Sequence, residues 1–273
     1  MPTISPLRLR LTIASLLIVS CLGALDHTVV ATSLATIAGE LGALQQMSWV
    51  IVAYSLSTTV LLPVLGKLGD LLGPRRVYLA SVAGFVLASL ACGFATTLTG
   101  LVLARIAQGV GGAGIQLMSQ TLVAELTTPR QRPRYLSIIG ASFPIAVLIG
   151  PVLGGLITDA WGWRWVFWIN IPLGVVALGV AAVTVPAVTP TARRRFDLPG
   201  ALAFATSVVP LVLVLSWVTE GDPALRPAVV AAGAVAVTGF LALVTVETRT
   251  PEPLIPRTSS GTGPWSPASP CRP

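Results

Sequence analysis

Two residues carry chemistry that their neighbours make expensive. Asp26 lies inside "SCLGALDHTVVATSL", Ser20 to Leu34, and Arg105 inside "LVLARIAQGVGGAG", Leu101 to Gly114, both otherwise apolar runs. A charged side chain at the centre of a bilayer costs ~2.5–3.5 kcal/mol on insertion scales. It persists where it pairs, lines a cavity or carries an ion. Arg105 falls roughly 10 Å from the end of its run at helical rise, and Asp26 is its candidate partner. The alternative is that Arg105 snorkels or caps a carbonyl. Burial favours a neutral acid and a nearby cation favours the carboxylate, so a carboxyl held between them changes protonation when helices move. Asp26 therefore reads as a proton carrier tuned by Arg105, or more plainly as half of a static ion pair. His27, the sole histidine, points ~100° away from Asp26 on a helix and reads as incidental.

Other chemistry is not expected. No Gly-rich loop ends in Lys-Ser/Thr, and no metal-ligand cluster or nucleophile–base pair is visible, so neither an enzyme nor a cofactor nor a metal site is expected. Energy must then come from an ion gradient or from nothing. Cys21, Cys92 and Cys271 are scattered, without metal or disulfide spacing, and the first two read as packing residues.

The elements that must position Asp26 and Arg105 are membrane helices. The 273 residues are 54% hydrophobic and only 10% charged, where a soluble domain carries about 25%. Spans of ~20 apolar residues fall near 11–38, 48–69, 76–95, 99–124, 135–158, 164–186, 199–218 and 228–247. The runs lack the alternation of a barrel, so an all-α membrane protein of eight spans is predicted. The run after "MPTISPLRLR" is too long for a signal h-region and reads as an uncleaved first span.

The net charge of +7 would suggest nucleic acid only if it formed one surface. Instead Arg8, Arg10, Lys67, Arg75, Arg76, Arg130, Arg132, Arg134, Arg193, Arg194, Arg195, Arg249, Arg257 and Arg272 all fall on one side of eight alternating crossings. Arg164 and Arg226 fall on the other. Positive residues stay inside, so both termini are expected in the cytoplasm, with the lipid bilayer and no nucleic acid as partner. Trp49, Trp161, Trp163, Trp165, Trp168 and Trp217 sit near outer span ends, as an aromatic belt would.

A pattern recurs. "PVLGKLGDLLGPRRV" from Pro63 and "PVLGGLITDAWGWRWV" from Pro151 share P-V-L-G-x-L and D-x-x-G-x-R-x-V, at opposite membrane faces. That is the expectation for a 3+3 inverted repeat of helices. Gly66, Gly69 and Gly73 around Asp70 allow a tight inner turn, and Asp70 with Arg75 and Arg76 could form a charge cluster that gates one conformation; a solvated basic loop is the alternative. In the fourth span Gln108, Gly109 and Gly111 follow Arg105, and with Gly112 and Gly114 strip side chains for close helix packing. In the fifth, Gly150, Pro151, Gly154 and Gly155 combine a helix breaker with small residues, and Pro144 adds a second bend.

These stretches carry a family resemblance. "LDHTVVATSLATI", "GKLGDLLGPRR", "LVLARIAQGVGGAG" and "IGPVLGG" together resemble the signature motifs of the major facilitator superfamily, and within it the fourteen-helix drug:proton antiporters, over residues 10–257. Leu25, Asp26 and Thr28 match the first-helix motif; Arg105, Gln108, Gly109 and Gly111 match the fourth-helix motif. The family has basic residues where this chain has Leu71 and Pro74, and glycine where it has Ala146. The resemblance implies proton-coupled export of drugs or other amphipathic, including cationic, small molecules from the plasma membrane, contributing to antibiotic resistance. It also implies that the kinked fifth helix helps seal the path.

The expected organisation is a six-helix bundle over residues 1–186, two linking helices over 187–257 and a Ser/Pro/Gly-rich tail over 258–273 after a truncation or frameshift. A second transporter half or self-association would have to complete the site. The competing readings are a non-transporting membrane fragment and a nutrient symporter or uniporter.

Overall fold

A computed structural model describes residues 5–42, 46–186, 198–220 and 223–249. Among them are ten α-helices and no strand: α1 Pro6–Leu41, α2 Trp49–Leu72, α3 Pro74–Gly93, α4 Leu98–Leu126, α5 Arg132–Gly140, α6 Ser142–Trp161, α7 Arg164–Trp168, α8 Asn170–Thr184, α9 Leu198–Glu220 and α10 Arg226–Arg249. They divide into two compact units, with α1 to α8 in residues 1–196 and α9 with α10 in residues 197–273. The tail expected over 258–273 and the truncation expected after Arg257 lie outside the described residues.

Among the described residues seven helical stretches are long and apolar enough to cross a membrane, and Leu202–Val218 is a shorter apolar helix, which accounts for the eight predicted spans. The fifth and sixth spans are each interrupted once. α5 gives way to α6 at Ala141, one turn before Pro144, which has no N–H to bond the Gly140 carbonyl. α6 runs unbroken through Pro151.

The repeated sequence pattern builds the same turn twice. Gly73 closes α2 with φ +89° and its N–H donated to Gly69 O, and Gly162 closes α6 with φ +86° and its N–H donated to Thr158 O. Only glycine holds that backbone region without strain. Pro74 then starts α3 with its preset φ, so α2 and α3 are separated by a single residue.

Within the first unit α4 packs along α2 and α3, while α1 packs on α6 and α8 and α3 on α8. Backbone approaches this close require missing side chains. A Cβ on Gly109 would lie 1.9 Å from Ser57 Oγ and 2.6 Å from the Tyr54 carbonyl of α2, and one on Gly111 would lie 2.7 Å from the Phe85 nitrogen of α3. Two α4 glycines face each neighbour, Gly109 and Gly112 toward α2 and Gly111 and Gly114 toward α3. Gly150 and Gly154 of α6 seat the Thr28 and Thr32 hydroxyls of α1 in the same way, and Thr28 Oγ1 donates to Ala146 O across the joint. In the absence of a hydrophobic drive in lipid, such dispersion contacts and interhelical hydrogen bonds hold helices together. In the second unit α9 and α10 meet where a Cβ on Gly239 would touch the Thr206 backbone at 2.6 Å.

Large apolar side chains face outward along α6, among them Leu148, Val152 and Leu156. That is the surface lipid solvates, and the protein is a multi-pass membrane protein.

Candidate functional site

Asp26 of α1 and Arg105 of α4 meet in the middle of the first unit. Arg105 Nη1 lies 2.5 Å from Asp26 Oδ2, and both side chains are wholly shielded. A charge in such a place needs every bond it can make. The other carboxylate oxygen, Oδ1, accepts from Gln108 Nε2 at 2.9 Å and from Asn170 Nδ2 at 2.7 Å. Gln108 Oε1 accepts from Arg105 Nη1 at 2.6 Å, and Cys92 Sγ donates to the same oxygen at 3.5 Å. Ser89 Oγ receives the second Gln108 amide bond at 2.7 Å. Arg105 Nε donates to Val50 O at 3.3 Å, and the guanidinium carbon sits 4.3 Å from the centre of the Tyr54 ring. Nη2 has no hydrogen-bond acceptor among the described residues, which leaves that edge to the aromatic faces of Tyr54 and, at 5.8 Å, Phe167. Residues of α1, α2, α3, α4, α7 and α8 converge on one ion pair.

Beside the pair is a cavity of about 530 Å³, within the roughly 300–1,000 Å³ of sites that hold drug-sized ligands. α1 contributes Ser20 and His27, α2 Tyr54, Ser55, Thr58 and Thr59, α4 Gly112, Gln116 and Gln120, and the α5–α6 break Ile139, Gly140, Ser142 and Phe143. The lining has no carboxylate, lysine or arginine and mixes apolar, aromatic, hydroxyl and amide side chains. Interrupted helix bordering a cavity is tolerated in membranes because the freed backbone groups find partners there.

The sequence matches a known family. The Major Facilitator Superfamily model aligns with residues 16–270. The chain belongs to the major facilitator superfamily. It is 40% identical over 216 residues to an uncharacterised MFS-type transporter of Mycobacterium tuberculosis, covering 79% of this chain and 31% of that one. It is 36% identical over 246 residues to the multidrug transporter protein MdtP of Bacillus subtilis, covering 90% of this chain and 46% of that one. The chain therefore spans less than half the length of these curated relatives. Among solved structures, the human organic anion transporter MFSD10 superposes with a TM-score of 0.56 at 17% identity, over 75% of this chain and 54% of that one, a likeness of fold.

The major facilitator motifs do not all come to one place. Asp26, Arg105 and Gln108 form the buried centre, with Gly109 and Gly111 setting helix spacing around it. Gly150 and Gly154 seat α6 on α1, but a Cβ on Gly155 would meet nothing within 4 Å, so Gly155 takes no part in that joint, and Pro151 is exposed. The expected inner-loop charge cluster does not form. Asp70 is exposed, and no ion pair or hydrogen bond links it to Arg75 or Arg76. Arg75 Nη2 instead donates to Ala182 O at 2.6 Å, and Arg8 Nε donates to Thr184 O at 3.0 Å. Unsatisfied carbonyls at the C-terminus of α8 attract these cations more effectively than a solvated carboxylate does. Gly66 of α2 packs against α4, where a Cβ would come within 3.2 Å of Leu117, and Gly73 forms the turn already described.

Two expectations are corrected by position. Trp163 is 1% exposed rather than at a lipid boundary, and its Nε1 donates to Glu40 Oε2 at 2.7 Å, beside an ion pair between Glu40 and Arg164. His27 is not incidental, for it lines the cavity. Asn170, Ser89 and Tyr54 were not foreseen. The only sequence signal was an asparagine in the apolar run "FWINIPLG".

Proposed function

We propose that the chain is the N-terminal portion of a proton-coupled exporter in which Asp26 takes up and releases the driving proton and Arg105 is its counter-ion. The reading rests chiefly on the fully shielded Asp26–Arg105 pair beside a ligand-sized cavity. A carboxylate so placed either keeps its cation or takes a proton. Exchange between those two states is the step that an ion gradient drives. Transport, rather than catalysis, is the work assigned to the cavity, with the proton gradient as energy source and no cofactor. Its substrates are amphipathic small molecules, cations included, and the multidrug names of the Bacillus subtilis relatives lend support. We place it in the plasma membrane with both termini in the cytoplasm, on the distribution of arginines. As in other transporters of this type, the site is completed by a second half or a second copy. We retain the division into a six-helix bundle, residues 1–186, two linking helices to residue 257 and a short tail.

A second reading has a specific observation behind it. Both Asp26 oxygens already have donors, as befits a static clamp between α1 and α4. Asp26→Asn separates the two. In vesicles carrying this chain with its completing half, the proton reading expects substrate efflux to lose its dependence on an imposed pH gradient. Efflux at the wild-type rate with that dependence intact would leave only the clamp.

A further inference from the structure

The cavity and the ion pair do not touch directly. Asp26 is 2% exposed and Arg105 is fully buried, and neither lines the cavity. Whatever occupies the cavity must therefore act on them through a shared wall. Tyr54 is that wall: it lines the cavity, and its ring lies 4.3 Å from the Arg105 guanidinium carbon. The contact falls on a cation one of whose nitrogens has no acceptor among the described residues, in a dry site where a ring face holds a cation most strongly. On the cavity side the His27 ring is tilted against Tyr54 at 5.9 Å. The ring's position is also tightly bounded, because a Cβ on Gly112 would lie 2.4 Å from the Tyr54 hydroxyl and 3.1 Å from Cζ. Gly112 is thus the space into which the Tyr54 hydroxyl fits.

We propose that Tyr54 is the positioning residue through which a ligand in the cavity acts on the Asp26–Arg105 pair. The inference rests on Asp26 being the proton carrier. An aromatic or cationic ligand packed against Tyr54 keeps the ring on Arg105 and holds the ionised pair described above. Without ligand the chain exchanges between that pair and a form with Asp26 protonated and Arg105 released, so a ligand that selects the pair sends the Asp26 proton to water. A proton arriving at Asp26 frees Arg105, Tyr54 loses the cation that seats it, and the ligand's wall loosens. The two effects are equal by linkage. The charged or titratable groups around Asp26 are Arg105 on α4, Tyr54 on α2, Cys92 on α3 and His27 on its own helix. α8 contributes the uncharged Asn170.

The test uses the full chain with its completing half in lipid nanodiscs and tetraphenylphosphonium as the probe. Titration calorimetry in two buffers of different protonation enthalpy gives the protons released per ligand bound at saturation. The wild-type chain is expected to release protons, and Asp26→Asn to release none. Tyr54→Leu is expected to lose the release as completely as Asp26→Asn, while Tyr54→Phe, which keeps the ring face, retains it. Gly112→Ala, which pushes the ring aside, is expected to lose it, and Gly112→Ala with Tyr54→Phe to regain it, because the clashing hydroxyl is gone. Wild-type release from Tyr54→Leu, with none from Asp26→Asn, overturns the role of Tyr54 and leaves the proton carrier standing. Undiminished release from Asp26→Asn overturns the proton carrier itself. Absence of binding, or of release, in the wild-type chain overturns the inference.

Discussion

The Asp26–Arg105 and Glu40–Arg164 ion pairs each join distant parts of this chain, and they could hardly differ more. Asp26–Arg105 has both side chains at 0% exposure, while Arg164–Glu40, at the far end of α1, leaves 32% and 49% of its side chains open. The inner carboxylate is embraced by an arginine, a glutamine and an asparagine. The outer one has an arginine and the Trp163 indole. Identical charges therefore do different work. Desolvation makes the inner pair costly to break and sensitive to its neighbours, whereas water and salt screen the outer one into a modest clasp.

Breaking the inner pair from the arginine side should have the largest effect. Arg105→Met leaves a buried carboxylate without a cation and should cost about 3–5 kcal/mol, read as a lowered unfolding midpoint in detergent. Replacing both partners, Asp26→Leu with Arg105→Met, should recover most of that loss, because no unpaired charge remains. If the double variant were as unstable as the single one, packing rather than charge would set the cost. A smaller effect is expected at the rim of the network. Asn170→Ala removes one neutral donor from Asp26 Oδ1 and should cost about 1–3 kcal/mol by the same measurement. The smallest effect belongs to the outer pair. Glu40→Gln should cost roughly 0.2–1 kcal/mol, and the difference from wild type should shrink as salt is added. A loss at Glu40 as large as that at Arg105 would erase the distinction between the pairs.

The sequence made some of this plain and hid the rest for physical reasons. Asp26 and Arg105 stood out because ionisable residues are rare in apolar spans and costly there. Of their partners only Gln108 stood out, through the family resemblance. Ser89 is one of many small hydroxyl residues that a membrane helix carries cheaply by bonding to its own backbone, and nothing marked it as a network member. Tyr54 reads from sequence as one more apolar ring. Asp70, Arg75 and Arg76 misled for the opposite reason. Adjacent charges in one loop suggest a cluster, yet Arg75 reaches across 107 residues to the end of α8, a destination no local spacing indicates. Gly155 follows Gly154 in the chain, but the helical turn between neighbours sends one onto α1 and the other into open space.

The amino-acid order alone determined that eight helices cross lipid, that a glycine-rich turn follows the second, and that two buried charges need an account. Those features follow from local energetics: apolar length against bilayer thickness, backbone strain at positive φ, and the cost of a charge in hydrocarbon. Only the tertiary structure decided which neutral amides complete the carboxylate, which ring divides cavity from ion pair and which arginines serve helix ends. Those choices depend on contacts between residues far apart in the chain, and hydrogen bonds and van der Waals contacts are settled within a few ångströms by how the helices pack.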